Sequence, residues 1–373
     1  MAKDGILILK GREVNALLAN RELELIRIVQ SAYEAHAQGE SSLPHSTFLR
    51  FPADAGNRII ALPAYLGNGS GIAGLKWVSS FPGNRARGID RASAVVILNS
   101  ATTGRPEAIL EGSVISAKRT AASAALAAQV LQSGQRSDSA GLVGCGVINY
   151  EIARFLLVAC PSIKTLVVYD KLKERADRFK EKCAELVTGL QVVVAEDLST
   201  LLRRSSLVSF ATTAIEPHVS DLSACAPGST ILHISLRDLT PEVILAGDNI
   251  VDDLDHVSRA QTSIHLTEQF IGNRDFVRGT LSDITLGRIP GRKDRHTLAI
   301  FSPFGLGILD LAVSKFVCEQ ARQQGLGTII ESFLPEPWAF DPVEAIAADK
   351  AEDAKIMSRE ERRPNDLQTN GQA

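Results

Sequence analysis

Nothing in this sequence comes near the roughly 18 to 20 unbroken apolar residues that a membrane-spanning helix requires, so no membrane partner is expected. Cysteine is sparse and unpaired in pattern. Cys145, Cys160, Cys183, Cys225 and Cys318 are five in number, scattered, and contain no C-x-x-C. That argues against a disulfide scaffold or a zinc ribbon, and predicts buried free thiols in a reducing cytoplasm. The seven histidines show neither H-x-x-H nor H-E-x-x-H spacing, so no metal site is expected. Neither sign of charge dominates: 40 Lys and Arg face 43 Asp and Glu, a net charge of -3. A nucleic-acid partner is therefore not expected either. The opening "MAKDGILILK" reads as too short and too charged for a signal peptide.

What is present suits a globular α/β protein. The 373 residues, 45% of them hydrophobic, suffice for two domains with a sizeable core. The first part, to about Gly112, mixes one helix with strands. In "RELELIRIVQSAYEAHAQG" the apolar residues Leu23, Ile26, Val29 and Tyr33 share a helical face, with Asn20 as a start cap and Gly39 as a stop. The runs "NRIIALPAYLG", "GIAGLKWVSS" and "ASAVVILNSATTGRPEAILEG" read as strands, the last as two joined by a turn at Thr103–Pro106. An alanine-rich helix is predicted from about Ser116 to Ser133, closed by Gly134. Strand and helix then alternate from Ser139, which argues for a parallel sheet covered on both faces. A last helix is predicted over about Leu306 to Gln324. The predicted organisation is a nucleotide domain over 134–305, inserted in a sheet-rich domain made of 1–133 and 306–345. The charged, aromatic-poor residues 349–373 are predicted to be a disordered tail.

The turn "GLVGCGVINY" places Gly144 and Gly146 between an apolar strand and a helix. The first glycine permits the tight turn. The second lets the backbone approach a pyrophosphate drawn to the helix N-terminus. The usual third glycine is replaced by Asn149. The next strand ends at Asp170, at the spacing where an acid holds a ribose 2′-hydroxyl, which favours NAD over NADP. Lys171 and Lys173 follow closely and weigh the other way. Cys145 reads as a small residue in the turn.

The stretches "GLKWVSSFPGN", "TTGRPEAILEGSVISAKRTAA", "LVGCG", "FGLGILDLAVSKFV" and "QQGLGT" resemble, in order and spacing, the ornithine cyclodeaminase/mu-crystallin family from about Leu43 to Thr328. The resemblance implies an α/β fold in which a Rossmann-type, doubly wound nucleotide domain is inserted in a sheet-rich domain that binds substrate and dimerises. It also implies a homodimer, an NAD cofactor and a small amino-acid substrate. Three further stretches, "KWVSSFPGNRARGIDRASAVVILN", "ISLRDLTPEVILAGDNIVDD" and "GRIPGRKDRHTLAIFSPFGLGI", resemble one branch of the family. Its members act in siderophore pathways and oxidatively hydrolyse N-(2-amino-2-carboxyethyl)-L-glutamate to 2,3-diaminopropionate, 2-oxoglutarate and NADH.

Residue by residue, the resemblance matches the family's catalytic lysine to Lys76 and its acid to Asp238. It matches the carboxylate-binding arginines to Arg119 and to Arg50, with Arg58 a competitor for the second. Thr120, Gly144, Gly146, Val147, Ile148, Asp170, Thr212 and Ser235 fall at cofactor-binding positions. Asp238 stands in "SLRDL" rather than after two glycines, and the strand "RIIALP" lacks an acid; both depart from the ornithine cyclodeaminase pattern. The chemistry suits these residue types. Oxidising a Cα beside a secondary amine, adding water and breaking the carbinolamine all move protons, and a half-buried lysine near arginines has a pKa that can fall near neutral. Arginine holds a carboxylate bidentately. Arg91, with Arg85 and Arg87, is either a solvated loop or a use for a substrate with three carboxylates. Asp238 is either catalytic or an N-cap before Thr240-Pro241. Lys76 by itself reads as the usual strand lysine that reaches solvent, and the family resemblance reverses that reading. An ornithine or lysine cyclodeaminase, a ketimine reductase and a non-enzymatic ligand binder of the same fold remain as other activities.

Overall fold

The computed structural model describes residues 5–335 apart from 68, 70 and 133–136. The expected stop at Gly134 and the expected tail over 349–373 lie outside the described residues. Residues 6–329 form one compact unit, and 1–5 with 330–373 group as another. In the second unit the described residues 330–335 carry exposed Ile330 and Phe333.

The first sheet of the main unit follows the spatial order β1 (Ile6–Leu9), β7 (Pro106–Glu111), β6 (Ala92–Asn99), β5 (Ile72–Ser80), β4 (Asp54–Leu66) and β2 (Ser41–Ser42), with β3 (Thr47–Phe51) also on β4. Only β1 and β7 pair in parallel among these. The second sheet is all parallel: β10 (Gln191–Val194), β9 (Thr165–Tyr169), β8 (Ser139–Val143), β11 (Leu207–Phe210), β12 (Thr230–His233), β15 (Ala299–Ser302), β13 (Asp248–Val251) and β14 (Val277–Thr280). From β8 the chain winds outward to β9 and β10 on one side and then to β11 and β12 on the other, with β15 inserted before β13 and β14, so the switch point of this doubly wound sheet lies beside β8. Ligands of such sheets bind at the strands' carboxyl ends there.

The helices are α1 (Gly11–Leu17), α2 (Glu22–Ala37), α3 (Ser113–Leu131), α4 (Val147–Ala159), α5 (Lys173–Ala184), α6 (Leu198–Arg204), α7 (Pro241–Ala246), α8 (Leu254–Val257), α9 (Ser263–Ile271), α10 (Leu281–Thr285) and α11 (Gly307–Gln324). Helix α3 starts three residues before the expected Ser116. The cause is Glu111, whose carboxylate accepts from the amides of Ser113 and Val114 at 2.7 and 3.1 Å and so satisfies open N–H groups of the first turn. Helix α2 begins at Glu22 after Arg21, with no side-chain cap; Asn20 instead takes a left-handed φ of 58°.

Two devices allow helices to pack closely in the main unit. Ala121, Ala122, Ala124, Ala125, Ala127 and Ala128 are fully buried along α3, where it packs against α2 and α4. Alanine keeps high helix propensity while permitting close backbone approach. Helix α11 lies over β4 and β5. A Cβ at Gly74 would stand 2.3 Å from the Ile97 carbonyl oxygen and 2.9 Å from Leu311 Cδ2. Gly74→Ala should therefore destabilise the protein by about 1 to 3 kcal/mol through overpacking, read from urea unfolding. A change under about 0.5 kcal/mol would contradict this packing.

Candidate active site

Lys76 sits in the middle of β5, opposite Leu62 on β4 and Val96 on β6. It is only 2% exposed, so the alternative of a strand lysine reaching solvent does not hold. Its ammonium donates to Asp310 Oδ2 at 2.7 Å and to Ser116 Oγ at 3.2 Å. Two of its three donors are thus engaged. Asp310, in the first turn of α11, is completely buried. Its other oxygen accepts from Arg119 Nε at 3.1 Å. One carboxylate therefore holds both cations, and Asp310 is a site residue that motif matching does not supply. Burial first, then the Arg119 charge, push the Lys76 ammonium down to about 8, while Asp310 opposes both through its charge and its hydrogen bond.

Arg119 lies two turns into α3 rather than at its start, so the helix dipole does not bear on it. Its terminal nitrogens lie against Gly305, where a Cβ would come within 2.8 Å of Nη1. Gly305 has φ +89°, which glycine adopts without strain. The loop is fixed from behind: the buried Asp252 accepts from the amides of Phe304 and Gly305 at 2.8 and 2.7 Å. Burial pushes the Asp252 carboxyl up, against those backbone N–H groups. Burial first, then the Asp252 charge, likewise push up the phenol of Tyr33, whose hydroxyl bonds Ser123 at 2.8 Å. With Nε on Asp310, the Nη1 and Nη2 groups of Arg119 form a fork for an incoming carboxylate.

The glycine turn has the form its sequence foretells. Gly144 takes φ +93°, and a Cβ there would meet the Ala211 carbonyl oxygen at 2.7 Å, so β8 and β11 close tightly behind the turn. A Cβ at Gly146 would meet nothing within 4 Å. Gly146 also precedes the first residue of α4, whose opening has no side-chain cap. That open helix start, with Val147 and Ile148 as its first residues, fits a pyrophosphate. Asn149, in place of the third glycine, is fully buried and donates to the carbonyls of Val143 and Gly144 at 2.9 and 2.8 Å. Ser209 donates to its side-chain oxygen at 2.8 Å. Asp170 accepts from Cys145 N at 2.9 Å and Leu172 N at 3.1 Å, with Arg175 3.9 Å away. It both braces the turn and presents a carboxylate beside it. The Cys145 thiol is pushed up to about 12 by burial, then by the Asp170 charge, which fits a small inert residue.

Asp238 is completely buried. Thr212 and Ser235 donate to its two oxygens, its own amide donates to His233 Nε2 at 3.2 Å, and His218 Nε2 stands 3.9 Å away. Burial pushes its carboxyl up, but neighbouring His233 and the hydroxyl bonds from Ser235 and Thr212 outweigh that and hold it below the usual carboxylate range. It is not the N-cap of α7, since Thr240 takes that position. Asp238 stands behind Thr212 and Ser235, two residues at expected cofactor positions. Leu236, two residues earlier, is held at φ 68°, a left-handed conformation that costs a bulky residue about 1 to 3 kcal/mol. Thr120, the remaining expected cofactor residue, donates its hydroxyl to the Ser116 carbonyl at 2.7 Å.

Arg50 and Arg58, the two candidates for the second carboxylate clamp, are direct partners across β3 and β4, and the sheet places both side by side. Arg58 in turn faces Ser80 on β5, and Arg91 Nε donates to Ser80 Oγ at 3.2 Å.

The model of the family described as ornithine cyclodeaminase/mu-crystallin matches residues 7–325. The N-((2S)-2-amino-2-carboxyethyl)-L-glutamate dehydrogenase of Staphylococcus aureus is 28% identical over 334 residues, covering 88% of this chain and 99% of its own. The solved Δ1-pyrroline-2-carboxylate reductase of Thermococcus litoralis, in complex with NADH and L-proline, is 27% identical with a TM-score of 0.79, covering 87% of this chain and all of its own. An archaeal alanine dehydrogenase, solved as a dimer with bound NAD, is 28% identical with a TM-score of 0.79, covering 88% of this chain and all of its own. Matched over nearly the whole of its main unit, this chain belongs to the ornithine cyclodeaminase/mu-crystallin family.

Proposed function

We propose that this protein is an NAD-dependent oxidoreductase acting on the CH–NH group of an amino-acid conjugate. Its substrate would be N-(2-amino-2-carboxyethyl)-L-glutamate: with NAD and water it gives 2,3-diaminopropionate, 2-oxoglutarate, NADH and a proton. The observation that carries this reading is the buried Lys76–Asp310–Arg119 cluster, with an ammonium poised at about 8. Arg119 holds the carboxylate next to the reacting carbon through its free fork. Lys76, fixed by Asp310 and Ser116, takes or gives the proton at the substrate nitrogen and at the attacking water. Asp238 orients Thr212 and Ser235 at the wall of the site.

NAD, when bound, supplies the oxidant. Gly144, Gly146, Val147 and Ile148 would hold its pyrophosphate, Asp170 its ribose, and Thr120, Thr212 and Ser235 would line its path. Arg50 and Arg91 would take the substrate's remaining carboxylates. Against a cyclodeaminase stands the absence of an acid in the strand "RIIALP", which leaves a side-chain amine of ornithine without a partner there. The five free cysteines suit a reducing cytoplasm.

The sheet-rich part, with α11, would bind substrate and form a homodimer, and the parallel sheet would be the inserted nucleotide domain. The strand positions that alternate with Lys76 leave Leu49, Tyr65 and Trp77 at 47, 40 and 38% exposure, an apolar face suited to a second copy. Light scattering at micromolar concentration should give twice the mass of the chain; a monomer would remove the dimer.

Mixing protein, NAD and the conjugate should raise the near-ultraviolet absorbance of NADH, and NADP should serve less well. Turnover of ornithine to proline without net NADH would overturn the substrate assignment. Lys76→Met should fold and bind NAD yet lose about 10²-fold or more in kcat; a wild-type rate would remove Lys76 from the chemistry. Asp310→Asn removes the group that raises the Lys76 pKa. The limb of the pH–rate profile centred near 8 should then move to lower pH by about one unit or more. An unmoved limb would show that Lys76 does not set it.

A further inference from the structure

Across β3, β4 and β5, Arg50, Arg58 and Ser80 lie in one row. Directly paired residues share a face of a sheet. Ser80 is four residues from Lys76 on β5 and therefore on the same face, at about 13 Å by strand rise. Arg91 reaches this row through Ser80. From the parallel sheet comes Arg237, next to Asp238, with Nη2 donating to the Ala260 carbonyl at 2.6 Å. Among the described residues none of Arg50, Arg58, Arg91 and Arg237 forms a salt bridge. Arg58 Nε is buried with no hydrogen-bond partner. The groups feel one another: burial and then Arg50 push the Arg58 guanidinium down, and burial and then Arg58 do the same to Arg91 and Arg237. Arg50 and Ala260, the partner of Arg237, line a cavity of about 410 Å³ together with His45, Asp255, His256 and Arg259. That size suits a small ligand.

We propose that Arg58, Arg91 and Arg237, with Arg50, form a subsite for the distal carboxylates of the substrate, at the far end of the same sheet face as Lys76 and Arg119. It selects substrates carrying two or more carboxylates and rejects amino acids with a neutral or cationic side chain. Arg58, Arg91 and Arg237 are partly buried and Arg50 is exposed; Asp238 opposes the crowding of charge at Arg237, but the group keeps an excess of positive charge, and a dicarboxylate arm relieves that repulsion while filling their donors. The strained Leu236 and the carbonyl of Ala260 fix Arg237 toward this role. Ser80 fixes Arg91. The subsite rests on the reading of the Lys76–Arg119 end as the place where an amino-acid head is held, and it selects the arm attached to that head.

Calorimetric titration of the NAD-loaded protein with acetate, glutarate and tricarballylate tests the subsite without turnover. Affinity should rise at least about tenfold with each added carboxylate, the size of one charge-assisted pair. Arg58→Gln and Arg237→Gln should each weaken tricarballylate about tenfold while leaving acetate within about twofold. Arg58→Lys should recover part of the loss, which separates lost charge from lost folding. Equal affinity for the three anions in the unmodified protein would overturn the proposal. So would variants in which all three anions, or sulfate as well, weaken together, because that marks a general positive potential. A failure to make NADH from the glutamate conjugate would sink the reaction proposed above, yet tricarballylate binding lost on Arg58→Gln would still establish the subsite.

Discussion

The Asp310 carboxylate is the contact on which this structure depends. It is completely buried and accepts from Lys76 on one oxygen and Arg119 on the other. Two cations brought out of water beside each other are repulsive and poorly solvated. One fixed anion between them makes the arrangement tolerable, and removing it would leave uncompensated buried charge. The sharing also limits the effect of the anion on each cation. Lys76 stays low enough in pKa to exchange protons near neutrality, while Arg119 keeps two nitrogens for a ligand.

Much of the surrounding packing serves to bring Asp310 into place. Helix α11 reaches β5 only because Gly74 has no side chain to meet Leu311. Gly305 allows the loop before α11 to pass against Arg119, and Asp252 holds that loop by its amides. The alanine face of α3 packs it against α2 and α4, while Ser116 and Arg119 on the same helix bond Lys76 and Asp310. On the other side, Asn149 and Asp170 brace the glycine turn with side-chain bonds to backbone, so the turn is firm where a third glycine is missing.

The sequence made some of this plain and hid the rest for physical reasons. A lysine inside an apolar strand and a G-x-G between strand and helix stand out because they break or complete a local pattern. Asp310 does not. It lies in a first helical turn, where an acid is ordinary, and its partners are 234 and 191 residues away in sequence. Arg50 and Arg58 looked like competitors because only strand register shows that they are neighbours. The early start of α3 was hidden because its cap is the side chain of Glu111, which belongs to the preceding strand. Asp238 read as either catalytic or an N-cap; its burial behind Thr212 and Ser235 depends on a strand–loop packing that spacing does not reveal.

The most direct test of the account is the titration of Lys76 itself. Nitrogen-15 NMR of lysine-labelled protein, with the Lys76 signal assigned by its loss in Lys76→Met, reports the protonation of that one ammonium. Burial beside Arg119, opposed by Asp310, predicts a midpoint near 8. A midpoint above about 10, the range of an ordinary lysine, would show that burial and Arg119 do not outweigh Asp310, and the proposed proton chemistry would fall with it.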